Sequence, residues 1–125
     1  MSSEQKTIIV VEDEPDTAEM FGEMMHLIGY RVLKAYGGAS AIGLLSQEIP
    51  HAVVLDLMMP EVDGFAVIDA LKADEATASI SVVVVTAKEL TRDEEQRLKG
   101  RIDTLMQKGE FLNDELLDEV RSLVK

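Results

Sequence analysis

Ala52-Val53-Val54-Leu55-Asp56 is an unbroken apolar run that ends abruptly in an acid. A strand with one wet face alternates apolar and polar residues. This run does not, so it reads as a strand buried on both faces, as in a parallel sheet. Two runs of the same kind flank it at a distance, Thr7-Ile8-Ile9-Val10-Val11 and Val82-Val83-Val84-Val85-Thr86. Two mixed runs, Arg31-Val32-Leu33-Lys34-Ala35 and Thr104-Leu105-Met106-Gln107, carry polar members and suit the edges of that sheet.

Helical patterns fill the gaps. Ala18, Phe21, Met25 and Ile28 recur at helical spacing, with Gly29 where a C-terminal cap belongs. Ala41, Leu44 and Leu45 form a second stripe, and Phe65, Ile68 and Leu71 a third. Thr91-Arg92-Asp93-Glu94 reads as a capping box opening a fourth helix that Gly100 ends. Leu112, Leu116, Val120, Leu123 and Val124 give the apolar face of a last helix, for which Asn113 is the expected cap. Five β-then-α units predict an α/β fold: a five-stranded parallel sheet of order 2-1-3-4-5 with helices on both faces. In that order the winding reverses between strands 1 and 3, so ligands belong outside their carboxyl ends.

Composition agrees with one domain. The chain has 125 residues, 46% of them apolar and 29% charged, enough to bury a core without staples. Residues 1–6 read as a polar tail and residues 7–125 as the domain. There are no cysteines, which excludes a disulfide framework and a thiolate site and fits a reducing, cytoplasmic setting. The net charge of −12 opposes direct nucleic-acid binding. No apolar run approaches the ~20 residues of a membrane span, so no membrane insertion is expected.

Chemistry gathers at the strand ends. Strand 1 runs into Glu12-Asp13-Glu14-Pro15, strand 3 into Asp56, strand 4 ends in Thr86 and strand 5 leads to Lys108. The acids before Pro15 have a plainer use as partners of a helix N-terminus. A cluster facing Asp56 exceeds that need. Glu12, Asp13 and Asp56 brought together would repel one another, and a hard divalent cation such as Mg²⁺ relieves that. A carboxylate beside Mg²⁺ can attack phosphorus, with Lys108 and the Thr86 hydroxyl taking phosphoryl oxygens.

The motifs Val10-Val11-Glu12-Asp13-Glu14-Pro15, Leu55-Asp56-Leu57-Met58-Met59-Pro60-Glu61-Val62-Asp63-Gly64, Val84-Val85-Thr86-Ala87 and Lys108 resemble those of the receiver domain of two-component response regulators, a flavodoxin-like fold. The likeness covers nearly the whole chain. It implies that Asp56 accepts a phosphoryl group from a phosphohistidine on a histidine kinase or histidine phosphotransfer protein. It implies Mg²⁺ (or Mn²⁺) on Glu12, Asp13, Asp56 and the Met58 backbone carbonyl. Thr86, with Ala87 beside it, and Lys108 would bind the phosphoryl group and switch, reshaping the face of helix 4, strand 5 and helix 5 for a downstream protein. Such a domain turns over no metabolite and is not an enzyme in the usual sense. A homodimer through helices 4 and 5 stays open, with no residue that argues for it.

Three departures from the pattern bear on switching. Leu105 stands where the family often has a switch aromatic. Gly109 follows Lys108 where a cis proline is usual, so a trans bond and a rearranged loop are expected. Met58 and Lys88 occupy the positions that tune hydrolysis, and neither suits orienting a water, so slow self-dephosphorylation is expected. Met20 and Met24, off the core stripe of helix 1, are candidates for docking the phosphodonor; flanking the core is their plainer role. His26 and His51 have no ligand partners at suitable spacing.

Other classes fare worse. A flavin site needs a neutral phosphate-cradling loop after strand 1, where three acids stand. No glycine-rich nucleotide motif occurs. A haloacid-dehalogenase-like phosphatase needs a second Asp where Met58 stands. The remaining rival is a degenerate receiver that docks proteins without phosphorylation.

Overall fold

The computed structural model describes residues 5–87, 89–109 and 112–124. The elements alternate strictly: β1 (Thr7–Val11), α1 (Pro15–Leu27), β2 (Arg31–Ala35), α2 (Gly38–Gln47), β3 (Ala52–Leu55), α3 (Gly64–Ala73), β4 (Ser81–Thr86), α4 (Arg92–Leu98), β5 (Thr104–Gln107) and α5 (Leu112–Leu123). All pairings are parallel and the order is β2-β1-β3-β4-β5. The expected fold class is therefore the observed one.

The continuous apolar strands are explained by two separate cores. Ile9, Val11, Val53, Leu55, Val82 and Val84 point into one core, with Ala41 of α2, Phe65, Ile68 and Leu71 of α3 and Leu98 of α4. Ile8, Val10, Ala52, Val54, Val83 and Val85 point into the other, with Phe21 and Met25 of α1 and Leu116 and Val120 of α5. Successive residues of a strand face opposite sides, so β1, β3 and β4 must be apolar at every position. β2 and β5, at the edges, keep exposed members such as Arg31, Leu105 and Gln107.

The helix ends follow the local sequence. Gly29 (φ 104°) and Gly100 (φ 76°) take the left-handed conformation just past α1 and α4. The Thr91–Glu94 capping box is present. Two expectations need correction. β4 begins at Ser81, one residue early, because Ser81 pairs with Ala52 at the open end of the ladder. Asn113 does not cap α5. The helix already starts at Leu112, so Asn113 is exposed inside its first turn.

Candidate functional site at the carboxyl edge of the sheet

The sheet delivers the site residues by register. Val11 of β1 pairs with Leu55 of β3, so Glu12 and Asp56 leave the sheet side by side. Their own backbones remain tied in: Glu12 N donates to Ala35 O at 3.0 Å and Asp56 N to Val11 O at 3.0 Å. Carboxylate oxygens of Glu12, Asp13 and Asp56 all lie within 4.8 Å of one another. Glu12 is 1% exposed and Asp56 6%; Asp13 is half-buried.

Lys108 reaches across from beyond β5. Its Nζ donates to Glu12 Oε1 at 2.7 Å and to Asp56 Oδ2 at 3.3 Å, and its backbone N donates to Thr86 O at 2.9 Å. The lysine is thus nearer Glu12 than Asp56, a pairing that the sequence does not foretell. The other oxygen of each acid accepts from the backbone: Asp56 Oδ1 from Met58 N at 3.1 Å, and Glu12 Oε2 from Glu14 N at 3.2 Å. Burial pushes the Glu12 carboxyl above its ordinary range, helped by the charge of Asp56 and opposed by Lys108. Burial by itself would lower the Lys108 ammonium, but the hydrogen bond to Glu12 and the charge of Asp56 outweigh it and hold it raised. The two directions describe one pair that shares its charge.

Thr86 closes the far side. It is fully buried at the end of β4, and the exposed Ala87 follows it. No cis peptide occurs among the described residues, so the Lys108–Gly109 bond is trans, as the sequence predicts. Lys88 lies outside the described residues.

The β3–α3 loop supplies the floor. Asp63 caps α3, its Oδ1 accepting from Ala66 N at 3.0 Å. Gly64 packs so close that a Cβ there would stand 2.6 Å from both Asp56 O and Leu57 Cα. The sequence reading carries both residues in a motif and gives them no role. An Asp before an apolar helical stripe was the available signal for the cap; nothing local announces the close approach.

The remaining candidates spread out. The Met58 side chain is 51% exposed and Leu105 39%. Met20 is exposed, whereas Met24 packs partly against the α1–α5 core, so the two do not form one free patch. His26 is exposed, and His51 Nδ1 accepts from Thr7 N at 3.0 Å at the opposite edge of the sheet. The grooves beside β5, of about 400 and 650 Å³, lie away from the acids. His26 and His51 thus stand apart from the acid cluster.

The fold and the site define a doubly wound parallel α/β domain with its chemistry at the switch point. The chain belongs to the response regulator receiver domain family, whose model matches residues 8–121. It is 34% identical over 118 residues to the DNA-binding dual master transcriptional regulator RpaA of Synechocystis, covering 94% of this chain and 48% of RpaA. It is 30% identical to the polar-differentiation response regulator DivK of Brucella ovis, over 82% of this chain and 84% of DivK. The chain therefore spans about half the length of RpaA and most of DivK. The receiver domain of sensor histidine kinase PA1611 from Pseudomonas aeruginosa superposes with a TM-score of 0.85 at 24% identity, covering 97% of this chain and 98% of that one. That neighbour has a magnesium ion coordinated in its active site cleft. Among the described residues no helix is long and apolar enough to cross a membrane.

Proposed function

We propose that Asp56 takes a phosphoryl group from a phosphohistidine of a histidine kinase or histidine phosphotransfer protein, and that the resulting charge switches protein contacts. A carboxylate oxygen of Asp56 forms the new P–O bond as the P–N bond to the donor imidazole breaks. The imidazole leaves with the bonding pair and takes up a proton. One observation carries this reading: Asp56 is nearly buried, oriented by Met58 N and Lys108 Nζ, and crowded by two further carboxylates.

Three carboxylates against one ammonium leave the cluster negative, a donor set that fits a hard divalent cation. Glu12, Asp13, Asp56 and the Met58 backbone carbonyl are the groups that would hold Mg²⁺. The bound ion supplies neutralisation of the carboxylates and of an incoming phosphoryl oxygen. The magnesium in the Pseudomonas aeruginosa neighbour supports the choice of metal. Lys108 would move its ammonium from Glu12 toward a phosphoryl oxygen, and Thr86 would donate its hydroxyl to another. Exposed Met20 on α1 is the proposed donor contact. The α4–β5–α5 face, where both grooves flank Leu105, is the proposed output surface. In this role the domain modifies only itself, in a cytoplasmic setting.

The test is phosphoryl uptake from acetyl phosphate with Mg²⁺, read by intact mass. An adduct on the unmutated chain that is lost in Asp56→Asn, and lost on chelation, is expected. No adduct on the unmutated chain, from acetyl phosphate or from a phosphohistidine donor, overturns it.

A further inference from the structure

α4 is a seven-residue helix with one buried side chain, Leu98. A helix this short has little stability of its own, so its position depends on what grips it. Two grips reach it from the α3 side. The Arg97 guanidinium lies over the Phe65 ring at 4.0 Å from the centroid. Arg101, just past α4, donates to Asp69 of α3 at 2.6 Å and back to the Arg97 carbonyl at 3.2 Å. On the β5 side the helix instead borders open space, the groove of about 400 Å³ that includes Glu95, Lys99 and Leu105.

Both ends of this arrangement lead to the acid cluster. Phe65 follows Gly64, whose backbone is pressed against Asp56 O and Leu57 Cα. In the other direction α4 follows Thr86 after a short connection. Backbone continuity thus joins the Asp56 loop to Phe65, and the strand that ends in Thr86 to α4.

We propose that Phe65–Arg97 and Asp69–Arg101 form a latch that holds α4 against α3, and that its strength sets how readily the site takes up a phosphoryl group. This rests on the phosphoacceptor reading of Asp56. The latch keeps the chain in the resting arrangement, and uptake requires α4 to let go of α3 and shift toward the β5 groove. Weakening the latch raises the fraction of molecules already released, so uptake quickens in proportion. Cation–π and surface ion pairs of this kind are worth about a twofold to fivefold change in that fraction.

The experiment measures two quantities in the full chain: the rate of uptake from acetyl phosphate with Mg²⁺, and amide hydrogen exchange over α4. The variants are Arg97→Ala and Asp69→Asn, with Arg121→Ala on α5 as control. Both latch variants are expected to take up phosphoryl about two to five times faster and to lose protection in Arg92–Leu98. The control should match the unmutated chain. Arg97 and Asp69 are both exposed, so folding is not at stake in these variants. Unchanged uptake in Arg97→Ala, in a chain that is otherwise phosphorylated, overturns the latch. If the unmutated chain takes up nothing, the phosphoacceptor reading fails, and unchanged α4 exchange then overturns the latch on its own.

Discussion

The two halves of the carboxyl edge are built differently. Around β1 and β3, backbone ladders, the close fit of Gly64 and buried Glu12 and Asp56 hold the acids in place before any ligand arrives. Around β4 and β5, the contacts of α4 among the described residues include one buried leucine and one ring contact, with a surface ion pair just past its end. A group that does chemistry benefits from a fixed geometry. A group that reports on chemistry needs two positions of similar free energy. On the proposed phosphoacceptor reading, the division puts the first requirement on the inner strands and the second on the edge.

The sharpest way to break this contrast is to disturb the rigid half. Gly64→Ala forces a Cβ into the backbone at Asp56 and Leu57 and is expected to lose about 1–3 kcal/mol, as overpacking does, read by urea unfolding. A neutral outcome would show that the β3–α3 floor yields as easily as α4.

A smaller effect concerns charge. Glu12 has its carboxyl raised from 4.5 by burial. A group raised in the folded state contributes stability that is present below its unfolded value and lost as pH rises through the folded one. Without divalent cations, Tm is therefore expected to fall from pH 4.5 toward neutrality, and Mg²⁺ to restore it near neutral pH. Lys108→Ala should steepen the fall, because the ammonium opposes the repulsion. Lys108 itself, raised from 10.5, withdraws its contribution only in strongly alkaline solution. A flat Tm profile with no response to Mg²⁺ would remove the electrostatic account of the cluster.

The smallest effect lies between the halves. Glu61 has φ 66° in the β3–α3 loop, a conformation that costs a side-chain-bearing residue about 1–2 kcal/mol. Glu61→Gly removes that strain and adds freedom to the unfolded chain, so a net gain of about 0.5–1 kcal/mol is expected, read by the same urea unfolding. A loss would mean that the Glu61 side chain makes a compensating contact.

The sequence made strands, order and acids legible for one reason: each is a local pattern. Apolar runs buried on two faces leave no alternation to misread, and the acids stand directly after them. Pairings between distant residues are not local. Nothing around Lys108 shows that it favours Glu12, and nothing around Arg97 shows that Phe65 lies beneath it. Asn113 failed as a cap because Leu112 already belongs to the helix, a boundary that propensity alone does not fix. Glu61 carries no signal of positive φ, since glycine or asparagine would be the usual mark.

β5 has a further consequence, which concerns self-association. It is only four residues long and carries Thr104 and Gln107 at its ends. Immediately inside it runs Val82-Val83-Val84-Val85, uncharged, β-branched and free of proline, the composition that templates cross-β stacking. The short edge strand covers this ladder from Val83 onward. Fraying of β5 would leave this valine-rich strand as an open edge, the exposure that favours edge-to-edge association.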